Sequence, residues 1–193
     1  MKILLASGSP RRAALLSEVG FDYRVVVTNV SEDFDKNSSA ELISEEIAKR
    51  KALAAIPYAN DGEYILAADT SVVIENEILG KPKDEADARR MLSLLSGKSH
   101  TVYTGIAIVH NGKTVSAHEA TEVLFENLDD EIISGYISTK APFDKAGAYG
   151  IQGYGQALVK GIKGDYFNVM GLPLNLLFKL LNKEFGISPL SWL

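Results

Sequence analysis

The residues best placed for chemistry are charged or hydroxyl side chains set beside glycine and proline or inside apolar runs. The first group is Ser7-Gly8-Ser9-Pro10-Arg11-Arg12, directly behind the apolar stretch Ile3-Leu4-Leu5-Ala6. Ser9 suits an N-cap and Pro10 the first helical position, so the spacing predicts a helix opening here and running on through Ala13-Ala14-Leu15-Leu16. A helix start presents N–H donors and partial positive charge, an unfavourable setting for cations. Arg11 and Arg12 make sense there if an anion is held, and glycine, hydroxyls, N–H groups and guanidinium forks together form a phosphate cradle. A capped surface helix with two solvated arginines has the same local pattern, and both readings stand on that pattern alone.

Asp69 lies in Ile65-Leu66-Ala67-Ala68-Asp69-Thr70-Ser71-Val72-Val73-Ile74, where a carboxylate buried without a partner would be expensive. It pairs with a cation, ligates a metal, or works as a base with a tuned pKa. Lys51 falls on the stripe set by Ile43 and Ile47, so its ammonium either points inward toward a phosphate oxygen or snorkels to water. Lys81, between Gly80 and Pro82, is aimed by a restricted backbone or is an exposed loop lysine. The segment Asp144 to Gly155 concentrates glycine around Lys145, Tyr149 and Gln152, which indicates either close backbone approach to a ligand or a flexible loop. Gln152 carries the donor and acceptor that reading a nucleobase edge requires. His100, His110 and His118 lack zinc-motif spacing and read as sheet-surface residues. Neither a nucleophile elbow, nor a P-loop, nor a dinucleotide-binding glycine pattern is present.

The elements that would position these groups alternate between strand and helix. The sequence predicts strands at Tyr23–Thr28, Tyr64–Ile74, Val102–Val109, Thr114–Phe125 and Ala157–Lys163. Helices are expected at Ser38–Ala55, at Asp84–Ser96, after Asp129, and from Pro173 with Leu176, Leu177, Leu180 and Leu181. Asn111-Gly112 between two strands is a hairpin signal, since both positions tolerate positive φ. This order predicts an α/β fold, a mixed twisted β-sheet with flanking helices and two lobes around a cleft, in a single domain spanning residues 1–193.

Composition bounds the function class. At 193 residues with 46% hydrophobic and 23% charged residues, the chain can bury a sizeable core. There is no cysteine, which removes disulfides, thiolate catalysis and zinc–thiolate sites together. The formal charge of -5 with scattered basic residues argues against a nucleic-acid polymer, but not against a nucleotide held by a few converging cations. No apolar run reaches the roughly 18 residues of a membrane span, and the N-terminus is too short in apolar residues for a signal peptide, so a cytoplasmic location is expected.

Taken in order, Leu5-Ala6-Ser7-Gly8-Ser9-Pro10-Arg11-Arg12, Ala68-Asp69-Thr70, Gly80-Lys81-Pro82, Leu95-Ser96-Gly97, Asp144 to Gly153 and Met170-Gly171-Leu172-Pro173 resemble the Maf family of nucleoside triphosphate pyrophosphatases. The resemblance spans nearly the whole chain. It implies a fold like that of the inosine triphosphate pyrophosphatases, a nucleotide cleft between the lobes, a homodimer and a divalent metal, Mg2+ or Mn2+. The form Gly-Ala-Tyr-Gly-Ile-Gln-Gly from Gly147 to Gly153 is similar to the subgroup acting on dTTP and UTP.

Carried over residue by residue, the resemblance makes Asp69 the proton acceptor and gives Arg12, Thr70 and Gln152 to specificity. It also draws Ser7, Glu32, Lys51, Lys81 and Lys145 into the site, with Arg11 beside the phosphate cradle. Glu32 and Asp69 would be the metal ligands. Ala67 stands where the family commonly has glycine, and Ser31-Glu32 where paired acids are common, so one of two possible carboxylates is missing although Asp33 follows. The expected reaction cleaves dTTP, UTP or a modified pyrimidine triphosphate between the α and β phosphates. The rivals are a non-catalytic nucleotide-binding regulator of septum formation and a phosphatase removing the γ-phosphate.

Overall fold

The computed structural model describes residues 1–34 and 38–193. Seven strands form one mixed sheet, in the order β2-β1-β3-β5-β6-β7 with β4 paired to β3. The strands are β1 (Lys2–Ala6), β2 (Asp22–Val26), β3 (Tyr64–Ile74), β4 (Glu77–Leu79), β5 (Ser99–His110), β6 (Lys113–Phe125) and β7 (Val159–Lys163). Flanking helices are α1 (Pro10–Glu18), α2 (Ala40–Ala54), α3 (Glu85–Leu95), α4 (Asp130–Ser138), α5 (Tyr166–Met170) and α6 (Leu174–Phe185). β1 pairs in parallel with both β2 and β3. Its run Ile3 to Ala6 is buried throughout, as an inner parallel strand requires.

The chain divides into two units, Met1–Asp69, Thr104–Glu119 and Gly171–Leu193 forming the first and Thr70–Tyr103 and Ala120–Met170 the second. The core of the first gathers Leu4, Ala6, Ala48, Ala52, Ala55, Ile65, Ala67, Ala107 and Val109. Alanine on α2 lets that helix come close to the sheet. At Gly105 a Cβ would lie 2.4 Å from backbone atoms of Ser44 and Glu45, so only glycine permits the approach. In the second unit Val72, Leu79, Met91, Leu92, Leu95, Phe125 and Tyr149 share one core with residues of α4.

Local signals explain most boundaries. Asp84 caps α3 by accepting from Asp87 N, and Asp129 caps α4 by accepting from Ile132 N. α6 ends at Gly186, with φ 69°, where Gly186 N donates to Asn182 O and Ile187 N to Leu181 O. The β5–β6 hairpin turns at Asn111 and Gly112 with φ of 48° and 77°.

Several expectations shift. β2 ends at Val26, β7 starts at Val159, and Gly153–Ala157 is a 3-10 turn. α6 buries Leu174, Leu177 and Leu181, whereas Leu176 and Leu180 are half-buried at the edge of its stripe. His100 is not a sheet-surface residue; it is 3% exposed because β5 is covered where that side chain projects.

Candidate active site

The first unit brings together five of the expected residues, Ser7, Arg12, Glu32, Lys51 and Asp69. α2 places Lys51 one turn beyond buried Ile47, and the stem follows the buried face until its ammonium meets the carboxylate of Asp69 on β3. Lys51 Nζ lies 2.7 Å from Asp69 Oδ1 and 2.7 Å from Glu32 Oε1. The side chains of Lys51 and Asp69 are 15% and 14% exposed, and that of Glu32 is 60% exposed. Burial raises the Asp69 pKa above the usual carboxylate range; the Lys51 ammonium and Arg12 pull against that rise, and Glu32 adds to it. Burial thus makes this carboxylate a stronger proton acceptor, while the two neighbouring cations favour its charged form.

Arg12 completes the group. Its Nε donates to Gly171 O at 2.7 Å and its Nη1 to Ser7 Oγ at 3.0 Å. Burial lowers the Arg12 pKa, against the favourable fields of Asp69 and Glu32 and with the unfavourable field of Arg11. Ser9 takes the extended conformation of an N-cap without a side-chain cap bond, and its N–H donates instead to Ser7 Oγ at 3.2 Å. Ser7 therefore gathers the backbone and the guanidinium at the start of α1. The capped-helix alternative with two solvated arginines does not hold for Arg12, whose guanidinium is turned into the protein. Arg11 is half-buried on α1.

Two carboxylates and two cations thus make a cluster of zero formal charge. Asp69 and Glu32 direct oxygens at one point of positive charge, now the ammonium of Lys51. Such a pair of hard donors fits Mg2+ or Mn2+, ions that take one or two carboxylates and complete their shell with phosphate oxygens and water. Among the described residues no group of three or more His, Asp or Glu side chains could hold a metal by itself.

The second unit holds the other expected residues. Thr70 follows Asp69 along β3, so its side chain leaves the opposite face of the strand. Lys81 is exposed on its turn, while the neighbouring Gly80 O accepts from Gly147 N at 3.0 Å. That bond ties the Lys81 turn to the glycine-rich segment. Lys145 does not project freely: its Nζ donates to Ala141 O at 2.6 Å and pairs with Asp144 Oδ1 at 2.5 Å. Its stem packs against Gly150, where a Cβ would come within 2.7 Å of Lys145 Cε. Gln152 is exposed between buried Ile151 and Gly153, which has φ 59°.

Several participants escaped the sequence. The Gly171 carbonyl reaches Arg12 across 159 residues, and no local pattern announces it; the motif Met170-Gly171-Leu172-Pro173 was the nearest signal. Tyr136 OH accepts from Gly150 N at 3.1 Å, and His100 Nε2 lies 2.7 Å from Tyr149 OH. These bonds hold the glycine-rich segment from beneath.

Comparison with known proteins places the chain among relatives over nearly its whole length. The family model described as Maf-like protein matches residues 2–184. A Bacillus cereus protein named dTTP/UTP pyrophosphatase is 50% identical over 186 residues, covering 96% of this chain and 91% of that protein. A Bacillus anthracis protein of the same name is 48% identical over 186 residues, covering 96% of each. A solved HAM1 protein from Coxiella burnetii is similar at 20% identity and a TM-score of 0.45, covering 65% of this chain and 73% of that one.

Proposed function

The chain belongs to the Maf family, and from that membership and the Asp69 cluster we propose that it hydrolyses dTTP and UTP to the monophosphate and pyrophosphate. The observation that carries the mechanism is the shared contact of Lys51 Nζ with Asp69 Oδ1 and Glu32 Oε1 at 2.7 Å each. Water attacks the α-phosphorus, the bond to the bridging oxygen breaks, and pyrophosphate leaves with the electron pair. Asp69 orients that water and takes its proton; burial raises its basicity, and the Lys51 ammonium opposes that rise by favouring the charged form.

Arg12 and the Ser7 hydroxyl form a donor pair at the start of α1, where the helix dipole also favours negative charge. They and Lys51 offset charge that grows on the phosphate oxygens as the anhydride breaks. Asp69 and Glu32 would hold a divalent Mg2+ or Mn2+, which supplies further charge neutralisation when bound. The family resemblance assigns Thr70 and Gln152 to the pyrimidine ring and Lys81 and Lys145 to the phosphates. Among the described residues no helix is long and apolar enough to cross a membrane. A homodimer is proposed on the same resemblance, and cytoplasmic residence on the cysteine-free composition.

The test measures pyrophosphate release from dTTP, UTP, dCTP and ATP with Mg2+ or Mn2+, for the native protein and Asp69→Asn. Loss of a general base lowers the rate by about 10²–10⁴-fold. Asp69→Asn should therefore lose turnover while nucleotide binding stays measurable. Near-normal pyrophosphate release by that variant removes Asp69 from the chemistry. Free phosphate as the product would identify a γ-phosphatase, and binding without any product a nucleotide-dependent regulator.

A further inference from the structure

His100 and Tyr149 take no part in the proposed chemistry, yet they form a buried polar pair in the second unit, 3% and 5% exposed. Their rings stand at 85° with centroids 5.3 Å apart. Each also meets Phe125 edge-on, at 5.0 Å from His100 and 4.7 Å from Tyr149. Three aromatic rings packed this way need no polar atom. A phenylalanine in place of His100 would fill the space and avoid a specific penalty, because His100 Nδ1 is buried with no hydrogen-bond partner. The imidazole is explained by its other nitrogen, 2.7 Å from Tyr149 OH. Burial pushes the His100 pKa down to about 4, so the ring stays neutral at neutral pH.

Tyr149 occupies the middle of the glycine-rich segment. Just before it, Gly147 and Ala148 take φ of 68° and 59°. Gly147 N donates to Gly80 O at 3.0 Å, and the Val72 side chain lies 3.0 Å from where a Gly147 Cβ would be. Just after it, Gly150 N donates to Tyr136 OH, and Gly155 approaches so closely that a Cβ there would sit 1.7 Å from Gly150 O. The Tyr149 hydroxyl bond adds a polar contact for the residue between these two anchors. Gln152 follows three residues later, with its side chain exposed.

We propose that His100 and Tyr149 are positioning residues whose hydrogen bond sets the conformation of residues 147–153, and through it the place of the Gln152 carboxamide that reads the pyrimidine. The inference rests on the reading of Gln152 given above. His100 itself projects from a fixed entry to β5, where Phe125 N donates to Lys98 O at 3.0 Å.

The experiment compares kcat and KM for UTP and CTP, which differ in the ring at the C4 substituent, in Tyr149→Phe, His100→Phe, Gln152→Ala and the double variant Tyr149→Phe/Gln152→Ala. Tyr149→Phe keeps the ring contacts and deletes only the hydroxyl. The expected result is a loss of about tenfold in UTP-over-CTP discrimination, the scale of one buried hydrogen bond, carried mainly by KM. His100→Phe should match it, and the double variant should lose no more than Gln152→Ala alone. Unchanged discrimination in Tyr149→Phe or His100→Phe alongside a loss in Gln152→Ala overturns the positioning role, as do additive losses in the double variant. A Gln152→Ala protein that discriminates like the native one overturns the underlying reading of Gln152 instead. Either aromatic variant suffices if the other does not fold.

Discussion

The buried imidazole of His100 makes the stability of this protein depend on pH in a calculable way. In the folded chain its pKa is pushed down to about 4 from an ordinary value of 6.5, because burial disfavours the charged ring. The unfolded chain binds the proton more readily, so the stability that the neutral ring contributes is complete above pH 6.5 and is lost as pH falls toward 4. At about 1.36 kcal/mol per unit of pKa difference, the full effect is about 3 kcal/mol. Between pH 8 and pH 5 it is about 2 kcal/mol, since the unfolded ring is then almost fully charged and the folded ring almost fully neutral.

His100→Gln removes the titration and keeps a hydrogen-bonding side chain beside Tyr149. At pH 8 the variant should be less stable than the native protein by about 1–2 kcal/mol, through lost ring packing on Phe125 and Tyr149. Native stability should fall faster on acidification, so the two curves converge by pH 5 and cross below it. Urea unfolding at pH 8, 6.5, 5.5 and 5 measures this directly, with the slope on denaturant checking that both proteins unfold in one step. Parallel stability curves for the two proteins would refute the reasoning, because a titrating His100 cannot leave the pH dependence of its own deletion flat.

Other perturbations test the rest of the fold and site. Lys51→Met leaves Asp69 and Glu32 facing each other without their shared cation, and kcat should fall by about 10²-fold or more in a pyrophosphate-release assay. Gly105→Ala drives a methyl into the backbone of Ser44 and Glu45. It should lower the melting temperature by about 5 °C or more, and lower kcat too, because α2 carries Lys51. Arg24→Met strips buried Glu63 of the bidentate partner that holds its pKa down to about 2. The native protein keeps that stabilisation above about pH 4.5 and loses it as pH falls through about 2, so the gap in melting temperature between the two should narrow over that interval.

Asp69 was legible in the sequence because an ionised group inside ten otherwise small or apolar positions has few physical explanations. Lys51 was legible because its helical phase was fixed by Ile43 and Ile47, although phase alone left an outward stem open. The hairpin at Asn111-Gly112 and the acidic cap of α3 are short-range chemistry and appear where they were expected. What stayed hidden depends on partners distant in sequence. The Arg12–Gly171 bond has no local trace, and neither does the burial of His100, since a polar residue on a strand reads the same whether that face is wet or covered. β4 follows a turn at Glu75 and Asn76, with φ of 50° and 68°, that lacks any glycine to mark it. The glycines from 147 to 155 indicate either close backbone approach to a ligand or a flexible loop; the structure shows a run of short turns held by the Tyr136 hydroxyl and close backbone contacts, a packing that no local pattern announces.

The meeting of α2 with β5 at Gly105 fixes where Lys51 reaches from. The contact there is main chain against main chain, with no rotamer between them that could yield, so the root of the lysine stem has a set origin. Substitutions at position 51 that only lengthen or shorten the side chain then work as a ruler: homolysine and ornithine analogues would vary the reach of the ammonium while its anchorage stays still. A catalyst built so can be re-gauged one methylene at a time.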